Sequence, residues 1–452
     1  MIILKDLNNF FEPKSVCLIG ASDKKGSVGN TIAKNLSGFK GKVYFTNPRL
    51  SGKKLLDKKV FSSITEISEK IDLSVVATPA AITFEVVKDI AKSKCKNILM
   101  VTSGFSEIGR TDLTEKIKKI ILKEKINLIG PNCLGLLNLS NHLDATFNSR
   151  DKYDLPKSGK VSIITQSGAL GIALLDLASK QRLEINKFVS YGNALDIDEI
   201  DLLEYFGKDK DTDIILCYIE GVKDGKKFYE TLKKVTQKKK VIVLKGGISE
   251  KGTTAVKSHT AAIAGSIKVF STALRQAGAI EVKTIKEMFD ISRFFSWYSV
   301  DNIKDSQIIT NGGGFGVLTT DQLDINNLKL SEITKETTDK IKKIIPSYAT
   351  IGNPIDLTGD ADDKRFLQAI YLCAKDKNTN SIIVLMLLQL PSISNKIPEE
   401  IAKLKANTKK PIMVVTIGGN KTEKKIEEFE KRKVLCFRDP FELSSILKYL
   451  KK

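Results

Sequence analysis

His259 is a candidate nucleophile because of its residue type and its setting. It is one of two histidines in 452 residues and lies in LKGGISEKGTTAVKSHTAAIAGS, between small residues and a predicted helix. Much of an imidazole is unprotonated at neutral pH, so it can attack an electrophile without an activating base. A histidine that is packed or exposed and does no chemistry is the alternative for this residue considered alone.

Glu220 is the residue that could support such a histidine. It ends the apolar segment DIILCYIEG, which is predicted to be a strand in the same part of the chain as His259. A carboxylate there could hold the second imidazole nitrogen, fix the tautomer and stabilise a positively charged ring. The alternative is a surface glutamate at the end of a strand.

Three glycine-rich turns could bind phosphate. They are IGASDKKGSVGN (19–30), QSGALG (166–171) and NGGGFG (311–316), and each stands between a predicted strand and a predicted helix. Glycine lets the backbone approach an anion closely, and a helix N-terminus favours negative charge. The first turn lacks the spacing of a dinucleotide site, and Asn47, Pro48 and Arg49 stand where such a site has an acidic residue. A nicotinamide-dependent oxidoreductase is therefore disfavoured, and a tight structural turn remains an alternative reading.

The elements that would position these residues alternate along the whole chain. Short apolar segments are followed by amphipathic ones, which predicts an α/β protein with parallel sheets. Three such blocks occupy residues 1–138, 159–290 and 305–452. The polar stretch 140–159 is interpreted as a linker and its His142 as an exposed, inert side chain, while 353–361 is interpreted as a turn-rich insertion.

Composition narrows the range of partners and locations. The net charge of +20 is spread along the chain without a cluster of aromatic and basic residues, so we expect no nucleic-acid partner. Six cysteines without a CxxC pair indicate reduced thiols in a cytoplasmic protein and no metal site. The longest apolar run, 381–390, is too short to cross a membrane.

Together the motifs resemble a known enzyme family. In chain order they are IGAS with its glycines, NP, ATP, TSGF, GPNCLG, TQSGALG, SYGNALD, YIEG, SHT, NGGGFGVL and NPIDLTGDA. The sequence is similar to the alpha subunit of acyl-CoA synthetases that form a nucleoside diphosphate, the acetate–CoA ligase (ADP-forming) type, within the succinyl-CoA synthetase superfamily. The resemblance implies an N-terminal Rossmann-like CoA-binding domain followed by two flavodoxin-like domains of the succinyl-CoA synthetase type.

The resemblance also implies a reaction and a set of site residues. Acyl-CoA, phosphate and ADP would be converted reversibly to carboxylic acid, CoA and ATP through an acyl phosphate and phosphorylated His259, with Glu220 supporting that histidine. The positions matching the CoA pocket are Gly20, Ala21, Ser22, Val28, Asn47, Arg49, Thr78, Pro79, Ser103, Gly104, Phe105, Asn132 and Cys133. The positions matching the phosphate turns are Ser167, Gly168, Ala169, Gly313, Gly314 and Phe315.

The family uses an ATP-grasp module to bind nucleotide and Mg²⁺. All three blocks of this chain are assigned to other domains, so the resemblance implies that ADP or ATP and Mg²⁺ bind to a separate beta subunit in an α2β2 assembly. A short-chain carboxylic acid is the expected substrate. The sequence does not specify which acid, or whether ADP or GDP is used. A CoA-binding regulator without catalysis is the alternative from a different functional class.

Overall fold

The structure is a computed structural model that describes residues 5–260 and 266–451, without the side chains of 256–260. The chain forms two compact units, Met1–Met288 and Phe289–Lys452. His259 lies in a helix by its backbone, and its side chain lies outside the described residues.

The first unit begins with a seven-stranded sheet. Its strands are β1 (Ser15–Ile19), β2 (Lys42–Thr46), β3 (Lys54–Leu55), β4 (Lys58–Phe61), β5 (Leu73–Val76), β6 (Asn97–Met100) and β7 (Asn127–Ile129). The helices of this part are α1 (Asn8–Phe11), α2 (Val28–Asn35), α3 (Ala80–Lys92) and α4 (Thr111–Glu124). The spatial order is β3-β4-β2-β1-β5-β6-β7, in which only the β3–β4 pair is antiparallel. Without the short β3, this is the 3-2-1-4-5-6 order of a Rossmann fold, as predicted.

A second sheet follows in the same unit. Its strands are β8 (Leu136–Asn138), β9 (Leu143–Asp144), β10 (Ser158–Thr165), β11 (Ile185–Ser190), β12 (Ile214–Ile219), β13 (Lys240–Lys245) and β14 (Ile280–Val282). The helices are α5 (Gly168–Lys180), α6 (Glu199–Lys208), α7 (Gly225–Thr236), α8 (Glu250–Thr260), α9 (Ile267–Gln276) and α10 (Ile285–Trp297), the last of which crosses the boundary between the units. The order β14-β13-β12-β10-β11 is that of a flavodoxin-like sheet.

The stretch interpreted as a linker takes part in this second sheet. β8 pairs antiparallel with β11, and β9 pairs antiparallel with β8. Asp144 is buried and accepts a hydrogen bond from Nε of Arg150 at 2.8 Å. The linker interpretation of 140–159 is therefore wrong for its first half, because the two-residue strand β9 is too short to stand out in a polar segment. His142 is exposed, as predicted.

The second unit contains the third sheet. Its strands are β15 (Asp305–Thr310), β16 (Lys329–Leu330), β17 (Ile355–Asp356), β18 (Ser381–Leu385), β19 (Ile412–Val415) and β20 (Cys436–Phe437). The helices are α11 (Gly313–Ile325), α12 (Lys335–Lys342), α13 (Asp363–Lys375), α14 (Ile397–Ala406), α15 (Asn420–Lys431) and α16 (Pro440–Leu450). The order β16-β15-β18-β19-β20 repeats the flavodoxin-like topology. β17 pairs with β15, so the segment 353–361 contributes a short strand and is more than a turn-rich insertion.

One apolar core joins the first two sheets. It includes Leu18 and Phe45 of the first sheet together with Ile164, Val189 and Tyr191 of the second. Because these side chains form a single buried cluster, the carboxyl ends of strands from both sheets are held in fixed positions relative to each other. Across the two described ranges, no helix combines the length and the apolar character needed to cross a membrane.

Candidate functional site

A cavity of about 1040 Å³ lies within the first unit. Its walls come from the turns that follow β1, β2, β5, β6 and β7, and from the turns that follow β10 and β11. Ligands of doubly wound sheets bind at this edge, where parallel strands end and helices begin. Two sheets therefore present their ligand-binding edges to one space.

The turn after β1 approaches the neighbouring strand so closely that only glycine fits. Gly20 has φ +94°, and a Cβ on it would lie 2.5 Å from the carbonyl oxygen of Ala77. A Cβ on Gly29 would lie 2.0 Å from the carbonyl oxygen of Gly20. Ser27 then caps α2 by accepting a hydrogen bond from the backbone N–H of Asn30. The result is an open helix N-terminus at the cavity wall, which suits a phosphate group.

Asn47 fixes the shape of the neighbouring turn. Its Nδ2 donates to the carbonyl oxygen of Ala21 at 2.7 Å, and its Oδ1 accepts from the backbone N–H of Arg49 at 2.9 Å. The Arg49 side chain is exposed at the edge of the cavity. It is thus a cation that an incoming anionic ligand would meet first.

Asn132 and Cys133 follow β7 and line the cavity, and Asn132 is hydrogen-bonded to a residue that follows β11. Nδ2 of Asn132 donates to Oδ1 of Asn193 at 3.2 Å. Burial raises the pKa of the Cys133 thiol to about 12, so it is a neutral thiol that donates to the carbonyl oxygen of Met100. Cys133 therefore contributes packing, and a thiolate nucleophile is absent at this position.

The N-terminus of α5 opens onto the same cavity. Ser167 caps the helix by accepting from the backbone N–H of Leu170 at 3.3 Å, and Ser167, Gly168 and Ala169 all line the cavity. Gln166, immediately before the cap, lines it as well. The first backbone N–H groups of a helix have no partner within the helix, so this end favours an anion.

Glu220 is buried at the end of β12, with 6% of its surface exposed. Its Oε1 accepts a hydrogen bond from the hydroxyl of Tyr218 at 3.3 Å, and Nζ of Lys245 donates to its carbonyl oxygen at 2.7 Å. Burial, followed by the Glu220 carboxylate, raises the pKa of Tyr218 to about 12, so the phenol keeps its proton. The Glu220 interpretation as a surface residue is thus wrong, because the side chain is enclosed.

Helix α8, which carries His259, contacts the short turn Ser106–Ile108. This turn is held by Glu107, which accepts from the backbone N–H of Gly104 at 2.5 Å and from Nδ2 of Asn193 at 2.6 Å. Burial by itself would raise the pKa of Glu107, but the hydrogen bonds from these donors outweigh it, so the pKa is below the usual value. A stable, charged Glu107 therefore fixes the turn beside the histidine-bearing helix.

Most of the predicted residues of the first unit meet at the cavity. The lining includes Gly20, Ser22, Val28, Asn47, Arg49, Thr78, Pro79, Ser103, Asn132, Cys133, Ser167, Gly168 and Ala169. Ala21, Gly104, Phe105 and Glu220 are outside this lining. Ala21 and Phe105 are fully buried and therefore contribute packing behind the cavity wall.

In the second unit, Gly313, Gly314 and Phe315 form the first turn of α11. Gly312 occupies the cap position without a side-chain hydrogen bond. No atom lies within 4 Å of the place where a Cβ on Gly314 would sit. A Cβ on Gly313 would lie 3.1 Å from Oδ2 of Asp356, so the helix end is open at Gly314 and flanked by a carboxylate at Gly313.

The cavity residues that the sequence prediction did not include are more numerous than the predicted ones, and Gln166, Gly192 and Asn193 are among them. Gln166 and Asn193 lie within motifs that were recognised, TQSGALG and SYGNALD. Each has a polar side chain next to small residues of its motif, and this pattern could have marked it as a candidate ligand contact. The sequence does not show that the turn after β10 and the turn after β11 lie next to each other in the folded chain.

Three domain families match consecutive parts of the chain. They are described as a CoA binding domain over residues 14–138, a succinyl-CoA ligase like flavodoxin domain over 158–295 and a Ligase-CoA domain over 306–445. A CoA-binding domain thus coincides with the sheet that forms most of the cavity.

Similar proteins carry one activity in their names. The "Acetate--CoA ligase [ADP-forming] I subunit alpha" of Pyrococcus furiosus is 36% identical, with 96% of this chain and 95% of that protein aligned. The "Acetate--CoA ligase [ADP-forming]" of Methanocaldococcus jannaschii is 43% identical over 77% of this chain, which spans only 49% of that longer protein.

A solved structure agrees with these relatives. It is described as Ca. Korarchaeum cryptofilum dinucleotide forming Acetyl-coenzyme A synthetase 1 in complex with phosphate and ADP. It is 32% identical with a TM-score of 0.92, and the match covers 98% of this chain and 96% of that one. From its fold, its cavity and these likenesses over nearly its whole length, the chain belongs to the family of ADP-forming acetate–CoA ligases.

Proposed function

We propose that this chain is the alpha subunit of an ADP-forming acyl-CoA synthetase, which converts acyl-CoA, phosphate and ADP reversibly to a carboxylic acid, CoA and ATP. The observation that carries the proposal is the cavity that joins the turns of the CoA-binding sheet to the open N-terminus of α5. Because the two walls suit a CoA thioester and a phosphate, they would bring the two reactants of the first step together.

In that first step, a phosphate oxygen attacks the thioester carbonyl carbon. The C–S bond breaks, the CoA sulfur takes a proton and an acyl phosphate forms. The backbone N–H groups of Gly168 and Ala169 at the start of α5 would stabilise the phosphate charge.

In the second step, a nitrogen of His259 attacks phosphorus. The bond between phosphorus and the acyl oxygen breaks, and the carboxylate leaves. Glu220, held at the end of β12 by Tyr218 and Lys245, is the carboxylate that would stabilise the charged imidazole ring. A β-phosphate oxygen of ADP then takes the phosphoryl group from His259 and yields ATP.

ADP and Mg²⁺ would bind to a beta subunit with an ATP-grasp module, in an α2β2 assembly in the cytoplasm. The name of the Pyrococcus furiosus relative, a subunit alpha, supports a second subunit. Mg²⁺ would neutralise charge on the nucleotide phosphates. A short-chain acid such as acetate is the proposed substrate, from the names of the relatives.

The test is the intact mass of the purified chain after incubation with phosphate and acetyl-CoA or another short acyl-CoA. We expect one added phosphoryl group that is stable in alkali and lost in acid. His259→Ala should abolish the gain. His142→Ala, which removes the other and exposed histidine, is the matched control and should leave the gain intact.

If the chain alone gains no mass, the same incubation is repeated with the ATP-grasp subunit present. Persistent absence of a phosphoryl group with every acyl-CoA, together with tight CoA binding, would contradict the enzyme and favour a CoA-binding regulator.

A further inference from the structure

Gln166 has an orientation that the surrounding backbone determines. Its Oε1 accepts hydrogen bonds from the backbone N–H of Glu220 at 2.9 Å and of Gly221 at 3.3 Å. A backbone N–H can only donate, so the atom facing it must be the amide oxygen. The usual ambiguity between oxygen and nitrogen in a glutamine amide is therefore removed.

The oxygen is also held from a third side. The hydroxyl of Tyr191, which is fully buried, donates to the same Oε1 at 3.4 Å. The buried carboxyl of Glu199 lies close to this phenol. The amide thus rests on two backbone groups and a buried phenol, which prevents it from rotating freely.

What remains for the cavity is the amide nitrogen. Gln166 is 91% buried, since 9% of its surface is exposed, and it lines the cavity beside Ser167. Within the described parts of the chain, neither N–H of Nε2 has an acceptor. Nε2 is absent from the fully buried atoms that lack a partner, so it is accessible from the cavity, where a ligand oxygen can accept from it.

The donor lies next to a second anion-favouring group. Gln166 directly precedes the cap of α5, a helix of 13 residues whose first N–H groups open onto the cavity. Nε2 can only donate and therefore suits an acceptor oxygen, while the adjoining helix end favours negative charge on that ligand.

We propose that Nε2 of Gln166 donates to an oxygen of the phosphate, and then of the acyl phosphate, that binds at the N-terminus of α5. Gln166 is a catalytic residue in this role, because it contacts the group that is transferred. The inference rests on the proposed function and adds a residue that neither the motifs nor the relatives assign.

The decisive variant is Gln166→Glu in the complex of this chain with its ATP-grasp subunit. A carboxylate keeps the acceptor for Glu220 and Gly221 but has no donor, and it presents a negative charge to the phosphate. We expect the KM for phosphate to rise by at least about 10-fold, as for the loss of a hydrogen bond to a charged group. The KM for acyl-CoA should stay close to that of the wild type, while the unfolding temperature should fall somewhat, because a carboxylate replaces a buried amide next to Glu220.

Two further variants separate the donor from a structural role. Gln237→Glu makes the same chemical change at an exposed position outside the cavity lining and should behave as the wild type. Gln166→Met removes acceptor and donor together, so it should show the phosphate defect and also a lower unfolding temperature.

An unchanged phosphate KM in Gln166→Glu would overturn the proposal. So would an equal rise of the KM for all substrates together with a lower unfolding temperature, because that pattern indicates a purely structural residue. A wild-type complex that turns over no acyl-CoA would instead count against the proposed function. The two failures are therefore distinguishable.

Discussion

The starts of α5 and α11 are built on the same plan in two different units. Thr165 and Thr310 end their strands, and each donates its hydroxyl to the carbonyl oxygen two residues later. The following side chains, Gln166 and Asn311, each accept a backbone N–H at the end of a neighbouring strand, from Glu220 and Leu387 respectively. The same two hydrogen bonds thus position the N-termini of both helices.

The two starts differ in how they are closed. Ser167 caps α5 with its side chain, whereas α11 has Gly312 and no side-chain cap. Gln166 lines a cavity, while Asn311 is 2% exposed and its Nδ2 is buried without an acceptor among the described residues. In both units the side-chain amide oxygen is used to anchor a neighbouring strand. Whether the amide nitrogen is accessible to a ligand depends on the residues around it.

The largest expected effect concerns the buried carboxyl behind the first helix start. Burial, and then Asp198, raise the pKa of Glu199 to about 7 from 4.5. The native state therefore binds more protons than the unfolded state between these values, and stability falls as the pH rises through this window. Glu199→Gln should raise the free energy of unfolding by about 3 kcal/mol at pH 8 and by about 1 kcal/mol or less at pH 5.

Denaturant unfolding followed by circular dichroism at the two pH values measures this change. The single tryptophan, Trp297, lies in the second unit, so its fluorescence reports on the region that should not respond. An equal gain at both pH values would contradict the charged state assigned to Glu199.

The next effect compares equivalent glycines in the first turns of the two helices. A Cβ on Gly171 would lie 2.6 Å from the ring of Phe188, which is fully buried, whereas on Gly316 it would lie 3.1 Å from Pro354. Gly171→Ala should therefore lower the free energy of unfolding by about 2 kcal/mol through overpacking. Gly316→Ala should be close to neutral, because the helix propensity of alanine offsets the milder contact. Equal losses in thermal unfolding would show that the two starts are packed alike.

A smaller effect tests the cap that only α5 has. Ser167→Ala removes the acceptor for the N–H of Leu170, so we expect a loss of about 1 kcal/mol in the free energy of unfolding. Ser266 is the matched control: it stands at the cap of α9 without a side-chain hydrogen bond, so Ser266→Ala should have little effect. Similar losses in both variants would contradict a specific role for the Ser167 cap.

The smallest effect concerns the open start of α11. Gly314→Ala meets no atom within 4 Å, and alanine has the higher helix propensity, so stability should rise by about 0.5 kcal/mol. If this turn receives phosphate, as the motif predicts, the added methyl group should raise the KM for phosphate in the complex. A stability gain with unaltered kinetics would restrict phosphate binding to α5.

The sequence predicted the sheets better than the contacts within the site. β1, β2, β12 and β18 all lie inside predicted apolar segments, because buried parallel strands are continuous apolar runs. β8 and β9 were missed, because each has only two or three residues and β8 joins the sheet through a long-range antiparallel pairing with β11.

At the site, the glycine-rich turns could be predicted from the sequence, because few other residues tolerate the backbone geometry of such turns. The role of Gln166 could not be predicted, because its orientation is set by Glu220 and Gly221, more than fifty residues away. Local patterns thus identify helix starts, while the direction of a single donor requires the fold.

The burial of every cysteine has a practical consequence. All six thiols are enclosed, so the folded chain offers no reactive sulfur to an alkylating reagent. A cysteine placed at Ile248, which is 56% exposed just before α8, would therefore be the one accessible site for a maleimide dye. Fluorescence anisotropy of that dye would report whether the histidine-bearing helix changes its mobility during turnover, without first removing any native cysteine.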